Sequence, residues 1–237
     1  MYAMVITHHG GQCFKVTFGD LTLVFDPIAK GASLPAVRFG ADIALVSRDH
    51  PDMNGVEEVT YGDPSSPSGR GKKPFAITGP GEYERQGVVI RGFLSASKYP
   101  ASAKALQGAA TEYVNTIYLV KLEDMTLVHL GALADTELPH EARESIDEID
   151  VLFVPIGGDS VLSPAKAHEL AVSLEPKIIV PMHWSQSDEG GIGAPRSLEV
   201  FLKEAGNGSE KVDKLTLKKK DLIGRDGSII VITPASR

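Results

Sequence analysis

The segment Ser47-Arg48-Asp49-His50-Pro51-Asp52-Met53-Asn54 follows directly on the apolar run at residues 43–46. A continuous apolar run bounded by polar and turn-forming residues predicts a buried strand, and functional side chains collect in loops at strand ends. His50 supplies imidazole nitrogens and Asp52 supplies carboxylate oxygens, and both groups bind divalent cations in proteins. The segment therefore predicts a buried strand that ends in a functional loop.

Two further histidines occupy the same kind of position. His129 follows an apolar run at residues 126–128, and His183 follows another at residues 178–181. Together with Asp52, the strand-end histidines predict a cluster of donors of the type that zinc favours. The alternative for each histidine is a structural residue whose ring is hydrogen-bonded within the protein, and the sequence leaves that alternative open.

The composition indicates one folded domain. The chain has 237 residues with 42% hydrophobic content, which is enough for a sizeable core, and we expect a single domain over residues 1–237. The one cysteine, Cys13, excludes an internal disulfide and a sulfur-rich metal site, and this favours the cytoplasm. A basic patch followed by a long apolar run is not found at the N-terminus, so we expect neither secretion nor a membrane span.

The charge argues against a nucleic-acid partner, and we expect a small-molecule substrate or ligand instead. The net charge of -7 and the pI near 5.5 argue against a nucleic-acid surface, because phosphate binding depends on clustered Lys and Arg. One basic segment, residues 214–220, alternates with Leu215 and Leu217. That alternation predicts a half-exposed strand whose lysines face solvent.

The order of predicted elements indicates an α/β fold. Short β-rich runs, interpreted as a meander, occupy residues 3–7, 13–18, 21–25 and 43–47. Later strands are predicted at residues 75–78, 87–93, 116–121, 126–130, 151–154, 177–181, 214–217 and 228–232, and helices at residues 137–146, 164–174 and 195–205. Residues 62–73 read as a surface loop, residues 79–83 as a turn, and residues 95–112 as a segment that folds over the mouth of the site. Two sheets covered on their outer faces by helices accommodate this order.

A series of short motifs shares its order and spacing with one known superfamily. The motifs are Phe25-Asp26-Pro27, the loop from Ser47 to Asn54, the run Gly-Pro-Gly-Glu-Tyr-Glu at residues 79–84, Asn115-Thr116-Ile117-Tyr118, His129-Leu130-Gly131, Asp150-Val151-Leu152, Pro155-Ile156-Gly157-Gly158 and Pro181-Met182-His183-Trp184. Over nearly its full length the chain resembles the metallo-β-lactamase fold superfamily, and within it the small Zn-dependent hydrolase-like proteins related to the ascorbate-lactonase group. The resemblance implies a four-layer αββα sandwich.

The resemblance also implies a ligand set, and this chain departs from it. The loop of a complete site reads His-x-His-x-Asp-His, and Arg48 and Met53 stand at two of its histidine positions. The first metal site maps to Arg48, His50 and His129, the second to Asp52, Met53 and His183, the bridging carboxylate to Ala132, and an N-terminal histidine to Gly11. A guanidinium keeps its proton, and a thioether binds Zn²⁺ poorly. The remaining donors are His50, Asp52, His129 and His183.

Two interpretations of the degraded site follow. In the first, the four remaining donors hold one weakly bound Zn²⁺ or Mn²⁺, and Asp52 and Arg48 take part in hydrolysis of an ester, lactone or phosphodiester. In the second, no metal binds, because Arg48 pairs with Asp52 and Asp49 and the histidines are hydrogen-bonded within the protein.

A function of another class stays open, namely a non-catalytic ligand-binding or scaffold protein on the same fold. His8 and His9 are candidate replacement ligands, although neighbouring residues of a strand face opposite sides and only one of them can point into the cleft. Because a fold does not fix a function, the sequence specifies neither a substrate nor an oligomeric state.

Overall fold

The computed structural model describes residues 2–61, 71–99, 114–158, 160–185, 192–206 and 208–235. One of its two sheets has six strands in the order β13-β1-β2-β3-β4-β5. These strands are β1 (Met4–His8), β2 (Phe14–Phe18), β3 (Leu21–Phe25), β4 (Ile43–Leu45), β5 (Phe75–Ile77) and β13 (Leu215–Leu217). β3, β4 and β5 pair in parallel, and the other neighbours pair antiparallel.

The second sheet has eight strands in the order β12-β14-β11-β10-β9-β8-β7-β6. They are β6 (Gly81–Arg85), β7 (Val88–Ala96), β8 (Val114–Leu122), β9 (Met125–His129), β10 (Val151–Pro155), β11 (Ile178–Met182), β12 (Glu210–Val212) and β14 (Ser228–Ile232). β6 to β9 pair antiparallel, and β9, β10, β11, β14 and β12 pair in parallel. The α-helices of the described residues are α1 (His140–Ser145), α2 (Pro164–Ser173) and α3 (Ser197–Glu204).

The main core lies between the two sheets. Alternate residues of β1, β2 and β3 face this core, as period-2 alternation requires, and they meet the inward side chains of β8, β9, β10 and β11. Phe14 and Phe25 from the first sheet pack against Phe153 of the second, with ring centroids 4.6 and 5.7 Å from its ring. The predicted α/β architecture with two packed sheets is the observed one.

Helices α1, α2 and α3 cover the outer face of the second sheet. Leu170 of α2 and Phe201 of α3 are buried against Leu152 and Ile179 of that face. α2 begins as predicted, because the Ser163 side chain accepts a hydrogen bond from the Lys166 backbone N–H at the helix N-terminus.

The outer face of the first sheet has a different cover. Val24 and Ala44 pack there against Ile28, Val37 and Val59, which lie in the connection after β3 and in a short 3-10 helix, Val56–Val59. No α-helix covers this face among the described residues. The layer is therefore built mainly from irregular chain, whose apolar side chains fill the same role.

Two local predictions were wrong, and a third was correct in part. The first four strands are not a meander, because the connection after β3 is long enough for β4 to return in parallel. Residues 79–83 are not a simple turn, since β6 begins at Gly81 and pairs with β7. The first helix covers only His140–Ser145 of the predicted residues 137–146. Of the predicted surface loop, residues 62–70 lie outside the described residues, and so do residues 100–112 of the predicted cover over the site.

The basic segment near the C-terminus has a structural role in addition to its exposed lysines. The Lys219 ammonium donates to both oxygens of the buried Asp150 carboxylate, at 3.1 and 2.8 Å, and Lys177 donates to one of them at 3.0 Å. The Thr126 backbone N–H donates to the same carboxylate. These donors hold the pKa of Asp150 below its usual range despite burial, which raises it. The segment thus ties β13 to the second sheet.

Among the described residues, none of the helices has the length and apolar content needed to cross a bilayer.

Replacement of Tyr118 by Phe tests the contact that joins the two sheets. The Tyr118 hydroxyl lies 2.8 Å from the Val46 carbonyl oxygen and 3.1 Å from that of Ile77. Its loss removes a buried donor from the Val46 carbonyl oxygen, whereas the Ile77 carbonyl oxygen keeps its bond from the Val46 backbone N–H at 2.9 Å, so we expect the free energy of unfolding to fall by about 1 to 3 kcal/mol. Urea denaturation measures the change. Tyr83→Phe is the matched control, because the Tyr83 hydroxyl is bonded at the exposed surface; equal losses in the two variants would contradict the proposed link.

Candidate functional site

The first residue of the loop 47–54, Ser47, is hydrogen-bonded to the buried carboxyl group of Asp26. Asp26 follows β3 with a left-handed backbone, φ 44°. Its side chain accepts hydrogen bonds from the Ser47 backbone N–H and from the Ser47 hydroxyl, both at 2.7 Å. Burial raises the pKa of Asp26 to about 7, although the bonds from Ser47 oppose that shift. The carboxyl group therefore fixes the point at which the loop leaves β4.

Asp52, which was predicted as a metal ligand and a catalytic residue, is buried and bonded to protein donors. One oxygen accepts from the Ser33 backbone N–H at 2.6 Å. The other accepts from the Ser33 hydroxyl at 3.1 Å and from the Tyr99 hydroxyl at 2.7 Å. His50 Nδ1 lies 3.5 Å from that second oxygen. The carboxylate thus has three hydrogen-bond donors from the chain itself.

The Tyr99 ring stands between two of the predicted ligands. It contacts His50 and His183 edge to face, with ring centroids 5.0 and 5.3 Å away. On another side Tyr99 packs in a small buried cluster with Met53, Ala132 and Val161. Met53 and Ala132 are the positions at which the resemblance implies a histidine and a carboxylate. The structure brings these two positions together, and apolar contacts fill the space beside them.

His129 is enclosed by aromatic rings and bonded through both ring nitrogens. It stacks on Phe25 with ring centroids 4.7 Å apart and is fully buried. Its Nδ1 accepts from the Gly131 backbone N–H at 3.2 Å, and its Nε2 donates to the Gln12 carbonyl oxygen at 3.1 Å. Burial lowers the pKa of His129 to about 3, so the ring is neutral at pH 7. Asp26 lies 4.0 Å away, and the neutral ring forms no ion pair with it.

His183 has the left-handed backbone (φ 57°) and a close neighbour in Gly157. A Cβ at Gly157 would lie 2.4 Å from the His183 carbonyl oxygen and 2.5 Å from its ring, so only glycine fits there. The Gln12 side-chain amide donates to His183 Nδ1 at 3.2 Å. Burial lowers the pKa of His183 to about 4. Gln12 therefore contacts His183 with its side chain and His129 with its backbone.

Arg48 and His50 lie at the rim of this arrangement. The Arg48 guanidinium is buried and donates to the Val114 carbonyl oxygen at 2.8 Å. Burial lowers the pKa of Arg48, and the nearby Asp49 charge opposes that effect. His50 Nδ1 accepts from the Asp52 backbone N–H at 3.2 Å, and burial lowers the pKa of His50.

The donors present do not fit a metal ion in this arrangement. A ligating imidazole offers one nitrogen lone pair to the metal and normally donates its other N–H to a carbonyl or carboxylate. Here the Nδ1 atoms of His50, His129 and His183 all accept hydrogen bonds from N–H groups, so a neutral ring carries its proton on Nε2. Within the described part of the chain, no group of three or more His, Cys, Asp or Glu side chains is placed to hold an ion. The assignment of His50, Asp52, His129 and His183 to one ion stays a prediction.

The candidate replacement ligands point elsewhere. His8 is buried with Nδ1 3.0 Å from the Ile232 carbonyl oxygen and Nε2 3.2 Å from that of Gly11. His9 lies on the other side of the strand, beside Phe39 and the Thr7 hydroxyl. The opposite orientation of the two side chains is the one that strand geometry predicts.

Three residues of the site carry no recognisable signal in the sequence. Gln12, Ser33 and Tyr99 lie in segments that connect strands or follow them, and none belongs to a motif of donor residues. Tyr99 falls within the segment 95–112 that was predicted to fold over the site, but the sequence does not single it out within that segment. Their roles depend on distances between elements far apart in the chain.

The comparisons with known proteins agree with the fold. The family described as the β-lactamase superfamily domain matches residues 5–183. A Bacillus licheniformis protein and the Bacillus subtilis protein YtkL, both named UPF0173 metal-dependent hydrolases, are 26% identical to this chain over 200 and 210 residues. Each match covers 77% of this chain and 86% of the relative.

Solved structures give the same picture. A Thermotoga maritima protein assigned to the Zn-dependent hydrolases of the metallo-β-lactamase superfamily is 27% identical, with a TM-score of 0.70 over 97% of this chain and 98% of its own. Igni18, a metallo hydrolase from Ignicoccus hospitalis, has a TM-score of 0.60 at 16% identity, covering 99% of this chain and 97% of its own, and supports the fold alone.

Asp26→Asn isolates the buried carboxyl group by its pH dependence. The folded pKa of about 7 lies above the ordinary value of 3.8 for an aspartate, so the stability contributed by Asp26 is complete at low pH and is lost as the pH rises toward 7. The asparagine variant never carries that charge. We expect its free energy of unfolding, relative to wild type, to increase by about 2 to 4 kcal/mol between pH 4 and pH 8. Contributions from the buried histidines cancel in this difference.

Asp150→Asn is the matched control in the same denaturation series. The folded pKa of Asp150 is lowered, so its carboxylate is ionised in folded and unfolded chains alike above about pH 5. The variant should therefore be less stable than wild type by a constant amount from pH 5 to pH 8. Parallel curves for the two variants would contradict the raised pKa of Asp26.

Proposed function

Because this chain belongs to the β-lactamase superfamily, we propose that it is a hydrolase-like member whose metal centre has degraded and which has lost metal-dependent hydrolysis. The observation that carries the proposal is the environment of Asp52. In a working centre this carboxylate would bind a cation, whereas here Ser33 and Tyr99 supply donors to both of its oxygens. A buried carboxylate is stable only if a cation or hydrogen-bond donors replace the water that it has lost.

The positions that have lost donors support the same proposal. Met53 and Ala132 are buried beside Tyr99 and Val161, so the changes replace polar ligands by apolar contacts. Arg48 adds a positive charge that opposes cation binding at short range. Changes of this kind at several positions of one centre argue for a lost function rather than for one altered ligand.

The names of the relatives support a hydrolytic reaction for an intact form of this centre. They are named metal-dependent hydrolases, and an active form of this chain would cleave an ester, lactone or phosphodiester. Hydrolysis then needs an activated water. The histidines near Asp52 have lowered pKa values and use Nδ1 as an acceptor, so each is a weak base in its present position. We therefore assign Asp52 and Arg48 no catalytic step in the present arrangement.

A ligand-binding protein without catalysis is the second candidate. Gln12 favours it, because its buried amide oxygen has no hydrogen-bond partner among the described residues. A small molecule with an N–H or O–H group would satisfy that oxygen, and the Arg48 guanidinium would favour an anionic one. In either case we propose a small-molecule partner and a cytoplasmic location, consistent with the acidic composition and the single cysteine.

Metal analysis of the chain purified without chelator tests the proposal. We expect far less than one Zn²⁺ or Mn²⁺ per chain and no hydrolysis of aryl ester, lactone or phosphodiester substrates above background, because Arg48, Met53 and Ala132 supply no ligand. Mass spectrometry of the metals gives the stoichiometry. One or two bound ions per chain that are lost in a His50→Ala variant, together with hydrolysis that requires them, would contradict the proposal.

A further inference from the structure

We propose that Tyr99 is an internal ligand that occupies the degraded centre and that it, together with the lost donors, prevents metal binding. This inference rests on the proposed function and identifies the group that replaced the cation. The Tyr99 hydroxyl donates to Asp52 at 2.7 Å, and the ring stands edge to face with both His50 and His183. The phenol therefore contacts three of the four donors that one ion would have to share, namely His50, Asp52 and His183.

The surroundings of the ring have the composition of a binding pocket for a phenol. Met53, Ala132 and Val161 supply apolar contacts on one side, and all three are buried. Asp52 supplies a buried acceptor for the hydroxyl group. Tyr99 itself has only 8% of its surface exposed, so its side chain is seated in the protein rather than lying across an open mouth.

The order of events in metal repair follows from this placement. Restoring ligands by Arg48→His, Met53→His and Ala132→Asp leaves the phenol bonded to Asp52. A cation must then break that hydrogen bond and displace the ring before it can reach His50, Asp52 and His183 together. Removing the side chain of Tyr99 from the repaired protein abolishes both costs. The triple substitution alone is therefore expected to restore metal binding incompletely.

Calorimetric zinc titration of four proteins tests the inference: wild type, the triple variant R48H/M53H/A132D, the same variant with Tyr99→Ala, and the same variant with Tyr2→Ala as control. Tyr2 is 67% exposed. We expect weak or no binding to wild type, and binding to the Tyr99→Ala quadruple variant roughly 10- to 100-fold tighter than to the triple variant. That factor corresponds to a hydrogen bond to a charged group that no longer has to be broken. The Tyr2→Ala control should match the triple variant.

The outcomes separate the two proposals. A quadruple variant that binds zinc no more tightly than the triple variant overturns the role of Tyr99, whether both bind or neither does. Stoichiometric, tight zinc in wild type instead overturns the degraded centre itself. The two failures are therefore distinguishable within one set of titrations.

Chemical rescue provides a second readout that needs no metal. Tyr99→Ala should unfold at a lower temperature than wild type, and millimolar p-cresol, which is the missing side chain, should raise that temperature by several degrees because it binds only the folded chain. Toluene lacks the hydroxyl and should raise it less. Tyr99→Phe should lose stability and gain nothing from p-cresol. If p-cresol and toluene have the same effect, the hydroxyl contact with Asp52 is not the basis of the site.

Discussion

A carboxylate removed from water must be matched by a cation or by hydrogen-bond donors, and Asp52 meets this constraint with donors from its own chain. Ser33 and Tyr99 fill its acceptor positions, while its own backbone N–H is bonded to His50. Once these bonds exist, an ion at the same place would have to replace them. The histidines of the centre are also engaged in hydrogen bonds. Their Nδ1 atoms accept from N–H groups, so the proton of each neutral ring lies on Nε2 and neither nitrogen offers a lone pair to a metal.

The backbone contacts that position the loop 47–54 and His183 do not require a bound metal. Asp26 holds the start of the loop through Ser47, and Gly157 leaves room for the close approach of His183. Gly131 likewise leaves room for the close approach of Asn115, because a Cβ at Gly131 would lie 2.3 Å from the Asn115 amide oxygen. These are constraints of backbone geometry and packing, and they do not depend on a bound metal. These constraints keep the fold of the β-lactamase superfamily around the centre that we propose to have lost its metal.

The sequence predicts the positions of the site better than its contacts. Apolar runs followed by His50, His129 and His183 correctly indicated strand ends, because burial and strand period leave a local signature. Hydrogen-bond direction leaves none: that Gly131 donates to His129, or Gln12 to His183, depends on neighbours set by tertiary packing. Tyr99 is a further example, since an aromatic residue after a strand normally indicates core packing. The parallel pairing of β4 with β3 was also missed, because the apolar residues of a strand do not indicate in which direction it pairs with its neighbour.

A double-mutant cycle between Tyr99 and Asp52 tests the central claim most directly. Tyr99→Phe removes the donor, Asp52→Asn removes the charge of the acceptor, and urea denaturation of wild type, the two single variants and the double variant gives the coupling free energy. If the phenol compensates the buried carboxylate, the coupling should be about 1 to 3 kcal/mol, with the double variant less destabilised than the sum of the single ones. Additive losses, with a coupling near zero, would contradict the claim that Tyr99 stands in for the cation.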